Sequence, residues 1–250
     1  MELHSFKNIE NSLECGEVLG KIYDVYFDNT SWFVRYVVVD LESGLSKRKV
    51  LISPVFIERF SWDPEVVPVR LKAAQIRNAP DWDVEKPISR LYEKEYFEHF
   101  HYNPYLDAQS GAPQSVRSDE SELGESSNLR SAIEVRNYII HSTDVNSMRF
   151  GHLDDFIFDI ETWKIRYLVI HPSNVLNSTK QSLISTKWAG FIDWVRQEIN
   201  IDLPVSEIRS APPYDATLPP NHAYANKLHA HYKRELDWNE TPVRRIRTSL

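Results

Sequence analysis

The chain has 250 residues, with 29 Lys+Arg against 36 Asp+Glu and a formal net charge of -7. That balance excludes a general nucleic-acid binder, which needs a basic face to release counterions. No apolar run approaches the ~20 residues of a transmembrane segment, the single Cys15 leaves no internal disulfide, and MELHSFKNIEN lacks the basic-then-apolar pattern of a signal peptide. The expectation is a soluble cytoplasmic protein.

Along the chain the first elements are strands. IYDVYFD (22–28) and WFVRYVV (32–38) alternate apolar and polar residues around a turn at DNTS, and KRKVLIS (47–53) and EVVPVRL (65–71) follow as shorter runs. AQIRNAP (74–80) predicts one helical turn stopped by Pro80, and Tyr92, Tyr96 and Phe100 then recur at i, i+4, i+8, the stripe of a short helix. Residues 107–129, DAQSGAPQSVRSDESELGESSNL, hold few large apolar groups and predict a flexible linker.

After the linker the same elements return. A shift of 131 aligns Gly20 with Gly151, Asp24 with Asp155, Trp32 with Trp163, Arg35 with Arg166 and Tyr36 with Tyr167. A shift of 132 then aligns Ile52-Ser53 with Ile184-Ser185, QIRNAPDWD (75–83) with EIRSAPPYD (207–215), Tyr92 with Tyr224 and His99 with His231. Self-similarity at a domain-sized period means a tandem of two copies. Many short strands separated by turns predict small β-barrels. The expected organisation is a barrel over 1–83, a trailing helix over 84–106, a linker over 107–130, a second barrel over 131–215, and a helix and tail over 216–250.

The repeated stretch GHLDDFIFDIETWKIRYLVIHPSN (151–174), with SLIS (182–185) and APPYD (211–215), resembles the PRC-barrel family. That family includes the cytoplasmic part of the photosynthetic reaction-centre H subunit and the last domain of the ribosome maturation factor. The first copy carries the matching Gly20, Asp24, Phe27, Asp28, Trp32, Arg35, Tyr36, Asp40, Ile52-Ser53-Pro54 and Asn78-Ala79-Pro80. The second departs from the pattern at His171, which stands for Asp, and at Thr186, which stands for Pro. The resemblance implies an all-β fold with short helices: two tandem PRC-type barrels, each followed by a helix. It also implies a non-enzymatic adaptor, accessory to electron-transfer or membrane complexes, with peripheral membrane association within its scope.

The residues themselves give no catalytic motif and no cofactor. His99-x-His101 and His229-x-His231 are the metal candidates, for a small-ligand or metal sensor as the alternative function. On a helix, however, residues two apart point about 200° away from each other, so the spacing chelates poorly. The interaction candidates are the aromatic groups Tyr92, Tyr96, Phe97, Phe100, Tyr224, Tyr232 and Trp238, either packed inside the protein or presented to a protein partner or a second copy. If DNTS is the hairpin turn, Phe27 faces Trp32, Val25 faces Val34 and Asp24 faces Arg35. Phe158 likewise faces Trp163, Phe156 faces Ile165 and Asp155 faces Arg166. Trp32 and Trp163 would then be core plugs, and each Asp–Arg pair an ion pair that fixes register.

Overall fold

A computed structural model describes residues 3–6, 12–14, 18–43, 46–58, 66–82, 88, 90–102, 128–142, 149–172, 180–218 and 220–236. The predicted linker up to residue 127, Cys15 and Trp238 lie outside these residues. Strands form 44% of the described residues and the sheets curl like half-barrels, so the fold is mostly β with short helices.

In chain order the elements are β1 (Leu3–Ser5), β2 (Ser12–Glu14), β3 (Val18–Asp28), β4 (Val34–Ser43), β5 (Ser46–Ile52), β6 (Val66–Pro68), α1 (Ala73–Arg77), α2 (Arg90–His99) and β7 (Leu129–Ser131). The second repeat continues with α3 (Ala132–Val135), β8 (Ile139–Ser142), β9 (Arg149–Asp159), β10 (Lys164–Pro172), β11 (Ser182–Ser185), β12 (Ala189–Asp193), β13 (Glu198–Ile201), α4 (Val205–Arg209) and α5 (His222–His231). Two compact units result. The first-repeat unit gathers the described residues of 9–131 with 161–163, and the second-repeat unit those of 1–8, 132–160 and 164–240.

The sheet of the first-repeat unit runs β5-β4-β3-β2-β6, with β7 on β3. That of the second runs β11-β10-β9-β8-β13-β12, with β1 on β9. The ladders are antiparallel except β2–β6 and β8–β13. The long central strand of each unit has room for two partners on one edge. On β3, β2 takes Val18–Lys21 and β7 takes Tyr26–Asp28; β8 and β1 divide β9 in the same way. Leu129 and Arg130, assigned from the sequence to the linker, are therefore strand, and Leu3–Ser5 belongs to the unit of the other repeat.

Apolar residues on these strands make the cores. Phe27, Val38, Val39 and Leu51 are fully buried in one unit, and Phe156, Phe158, Leu168 and Ile184 in the other. Gly20 and Gly151 sit where strands approach closely: a Cβ on either would strike the carbonyl oxygen of Asp40 or His171. No residue larger than glycine fits there without displacing backbone.

The hairpin register differs from the expected one. Asp28 N–H donates to the Phe33 carbonyl at 2.9 Å, and Trp32 N–H to the Asp28 carbonyl at 2.8 Å, so the loop spans Asn29–Trp32. The Asp28 carboxylate accepts from the Thr30 and Ser31 amides at 3.0 and 2.8 Å. Burial opposes its ionisation, but these bonds and the two hydroxyls outweigh it and hold its pKa below the ordinary value. Trp32 closes the loop in the left-handed region at φ 62, and Trp163 does the same at φ 57. The plan recurs at Asp193, whose carboxylate accepts from the Val195 and Arg196 amides before Gln197 at φ 59.

Because the Trp closes the turn, Phe27 pairs with Val34, Val25 with Val37 and Asp24 with Val38. In the second repeat Phe158 pairs with Ile165, Phe156 with Leu168 and Asp155 with Val169. Asp24 does not face Arg35, nor Asp155 Arg166, and the expected register-fixing pairs are replaced. Asp24 accepts from Ser131 Oγ at 2.5 Å, Arg35 meets Glu93 at 3.3 Å, Asp155 meets Arg136 at 3.3 Å, and Arg166 meets Asp159 at 3.3 Å. Trp163 is buried but falls in the first-repeat unit rather than opposite Phe158, whereas Trp32 is half-buried and stacks on Phe27, with ring centroids 5.5 Å apart.

Candidate functional site

In each unit the trailing helix lies against the sheet along a seam that collects most of the aromatic and histidine residues singled out by sequence. Three contacts of this seam are the same in both repeats. Tyr92 donates to the Pro80 carbonyl at 3.2 Å and Tyr224 to the Pro212 carbonyl at 3.0 Å. His99 Nε2 bonds the Gln75 carbonyl and His231 Nε2 the Glu207 carbonyl, each at 2.8 Å. Since a carbonyl can only accept, both rings carry a proton on Nε2. Each helix also ends in a Schellman pattern, with Tyr102 N–H reaching the Phe97 carbonyl and Arg234 N–H the His229 carbonyl, both at 3.0 Å. The left-handed residues that permit this turn are His101 and Lys233, at φ 52 each.

The two H-x-H stretches are thus out of phase. His231 is the counterpart of His99, His229 that of Phe97, and His101 that of Lys233. The metal hypothesis brought four histidines together by spelling, and the fold gives them three unrelated tasks.

The aromatic candidates are mostly inward. Tyr96, Phe100 and Tyr232 are buried in their own unit, while Tyr92, Phe97 and Tyr224 are half-buried. Tyr96 accepts from the Ser53 amide at 2.8 Å and packs edge-on against Tyr36, centroids 5.3 Å apart. The stripe is packing between helix and sheet, because an i, i+4, i+8 set of large rings must be covered by something and the sheet of the same unit is nearest. Burial raises the pKa of Tyr36, Tyr92, Tyr96, Tyr214, Tyr224 and Tyr232.

At the seam's centre the repeats diverge. Tyr36 donates to Glu93 Oε1 at 2.8 Å, and Arg35 supports the same oxygen at 3.3 Å. Tyr167, the counterpart of Tyr36, meets His229 Nε2 at 3.2 Å. His229 Nδ1 lies 3.0 Å from the Glu235 carbonyl, which requires Nδ1–H. The neutral ring therefore accepts the Tyr167 hydroxyl at Nε2. Burial lowers the His229 pKa below 6.5, against the raising effect of its backbone bonds, and the ring packs on Trp188 with centroids 5.0 Å apart. Sequence reasoning did not single out Glu93 or Trp188. Their signal was positional, since Trp188 aligns with Phe56 at the repeat shift.

Among the described residues, no group of three or more His, Cys, Asp or Glu is placed to hold a metal ion. Tyr23, Ile133 and Leu218 are large exposed apolar side chains, and two more, the most exposed, stand together at the hairpin β12–β13. Phe191 is 71% exposed and Val195 95%, while Trp194 is half-buried against Tyr138. Strand β12 ends its sheet, and among the described residues no strand pairs with its outer edge. Compared with known proteins, the chain matches no family model and no curated protein.

Proposed function

We propose that the protein is a non-enzymatic adaptor of PRC-barrel type that holds a protein partner at the β12 edge of its second-repeat unit. The carrying observation is Phe191 and Val195, large apolar groups left in water beside an open strand edge. Main-chain donors and acceptors on such an edge accept an added strand, and neighbouring apolar side chains supply the binding energy. The aromatic helices, the other surface considered for this role, are committed to their own sheets. The PRC-barrel resemblance extends the reading to complexes of electron transfer or of a membrane surface. No helix among the described residues is long and apolar enough to cross a membrane.

The test compares proteins captured from native lysate by the wild-type chain and by Phe191→Asp/Val195→Asp. Loss of a specific partner with an unchanged melting curve is the expected result. Retention of every partner by the double variant overturns the assignment of this edge. The sensor alternative requires His99 and His231 to leave their carbonyl partners, and a stoichiometric metal in the purified protein would favour it.

A further inference from the structure

We propose that each unit carries an acceptor groove for an extended Leu-x-Ser strand, filled by the strand that the other repeat donates, so that the two repeats form one self-complementing pair. Leu3-His4-Ser5 and Leu129-Arg130-Ser131 are the same short word at a shift of 126, too brief and too far out of phase to join the main echo. They nevertheless occupy equivalent places. Leu3 pairs with Asp159 and Ser5 with Ile157, while Leu129 pairs with Asp28 and Ser131 with Tyr26.

The recognition chemistry is shared as well. Ser131 Oγ donates to Asp24 Oδ2 at 2.5 Å, and Ser5 Oγ donates to Asp155 Oδ2. These are the two aspartates of the family-like motif, and both are buried. Oδ1 of each carboxylate already has a donor, the Val25 amide for Asp24 and Arg136 for Asp155, and the serine hydroxyl supplies one to Oδ2, so it stabilises the groove as well as the strand. The serine contact is common to both, while the first two residues are buried as Leu3 and His4 in one groove and half-buried as Leu129 and Arg130 in the other. In the second-repeat unit Phe6 adds an anchor, packed on Phe158 and Phe156 with centroids 4.7 and 5.6 Å away. An empty groove would expose the ladder edge of β9 at Ile157–Asp159, or of β3 at Tyr26–Asp28. The ligand class is an extended peptide reading Leu-x-Ser, bound by strand addition.

The test uses the full chain with Cys15→Ser, His4→Cys and Phe158→Cys and a specific protease sequence inserted within 107–127. Paired strand residues are close enough for a disulfide. After oxidation and cleavage, the two fragments are expected to run as one band that splits on reduction. Two bands under oxidising conditions, or cross-linked multimers of the uncut chain, overturn the proposal. Should that variant fail to fold, the otherwise wild-type chain with only the cleavage site decides. Its cut halves are expected to co-elute in gel filtration, and a synthetic peptide of residues 2–7 in excess to release one from the other. Halves that elute separately, or a peptide that competes no better than its Leu→Asp version, overturn it.

Discussion

The helix seams of the two repeats share one frame and differ at one polar partner. Tyr36 is answered by Glu93 and Arg35, a pair of fixed charges, whereas Tyr167 is answered by His229, a neutral ring held against Trp188. The frame is set by backbone carbonyls at Pro80, Gln75, Pro212 and Glu207. The two repeats share what the backbone dictates and differ in the side-chain partner of the tyrosine. The lesson is that the repeats should respond alike to packing changes and differently to pH.

The largest effect expected is from emptying the seam. Tyr96 and its counterpart Leu228 are both fully buried, so Tyr96→Ala and Leu228→Ala should each cost about 4 kcal/mol as core truncations. Urea denaturation monitored by tryptophan fluorescence measures this, and a large asymmetry would break the picture of one shared frame. Next come the glycines: Gly20→Ala and Gly151→Ala should each cost about 3 kcal/mol, since the new methyl meets backbone that cannot yield cheaply. Paired melting curves would show whether the repeats suffer equally.

The sharpest separation is His229→Phe, which installs the residue that stands at Phe97. At pH 7.5 the loss should be about 1 kcal/mol, because the Tyr167 hydroxyl loses its acceptor. Since burial depresses the His229 pKa, the stability it contributes is complete above about 6.5 and is lost as pH falls through the lowered value. Wild-type stability should therefore fall between pH 7.5 and 5 by more than that of the variant. Identical pH profiles would remove His229 as the source of asymmetry. The smallest effect is Glu93→Gln, about 1 kcal/mol. The ion pair with Arg35 is lost, but the amide still accepts from both Tyr36 and Arg35. Denaturation midpoints at pH 7 and 8 check it.

Much of the scaffold was legible because it depends on local pattern. Alternation along 22–28 and 153–159 marked strands, and Pro80 and Pro212 marked the ends of α1 and α4. The stripe of Tyr92, Tyr96 and Phe100 gave α2 and the face it buries. The candidate sites were less legible. The H-x-H spelling suggested chelation because sequence shows proximity along the chain, while the repeat register makes His99 and His229 different positions. The hairpin pairing was misjudged because a tryptophan at positive φ is sterically disfavoured, so nothing in the sequence marked Trp32 as the residue closing the turn.

The sequence by itself determined the self-similarity of the two halves, the β-rich content and the apolar stripe of each trailing helix. Periodicity and burial of apolar residues are properties of a segment and its immediate neighbours. Only the tertiary structure decided where Asp24, Asp155 and their arginines find partners, and which unit Leu3–Ser5 and Leu129–Ser131 complete. Those choices depend on which strand edge remains open after each hairpin closes. An open edge is filled by whatever strand can reach it, a condition that no local pattern records.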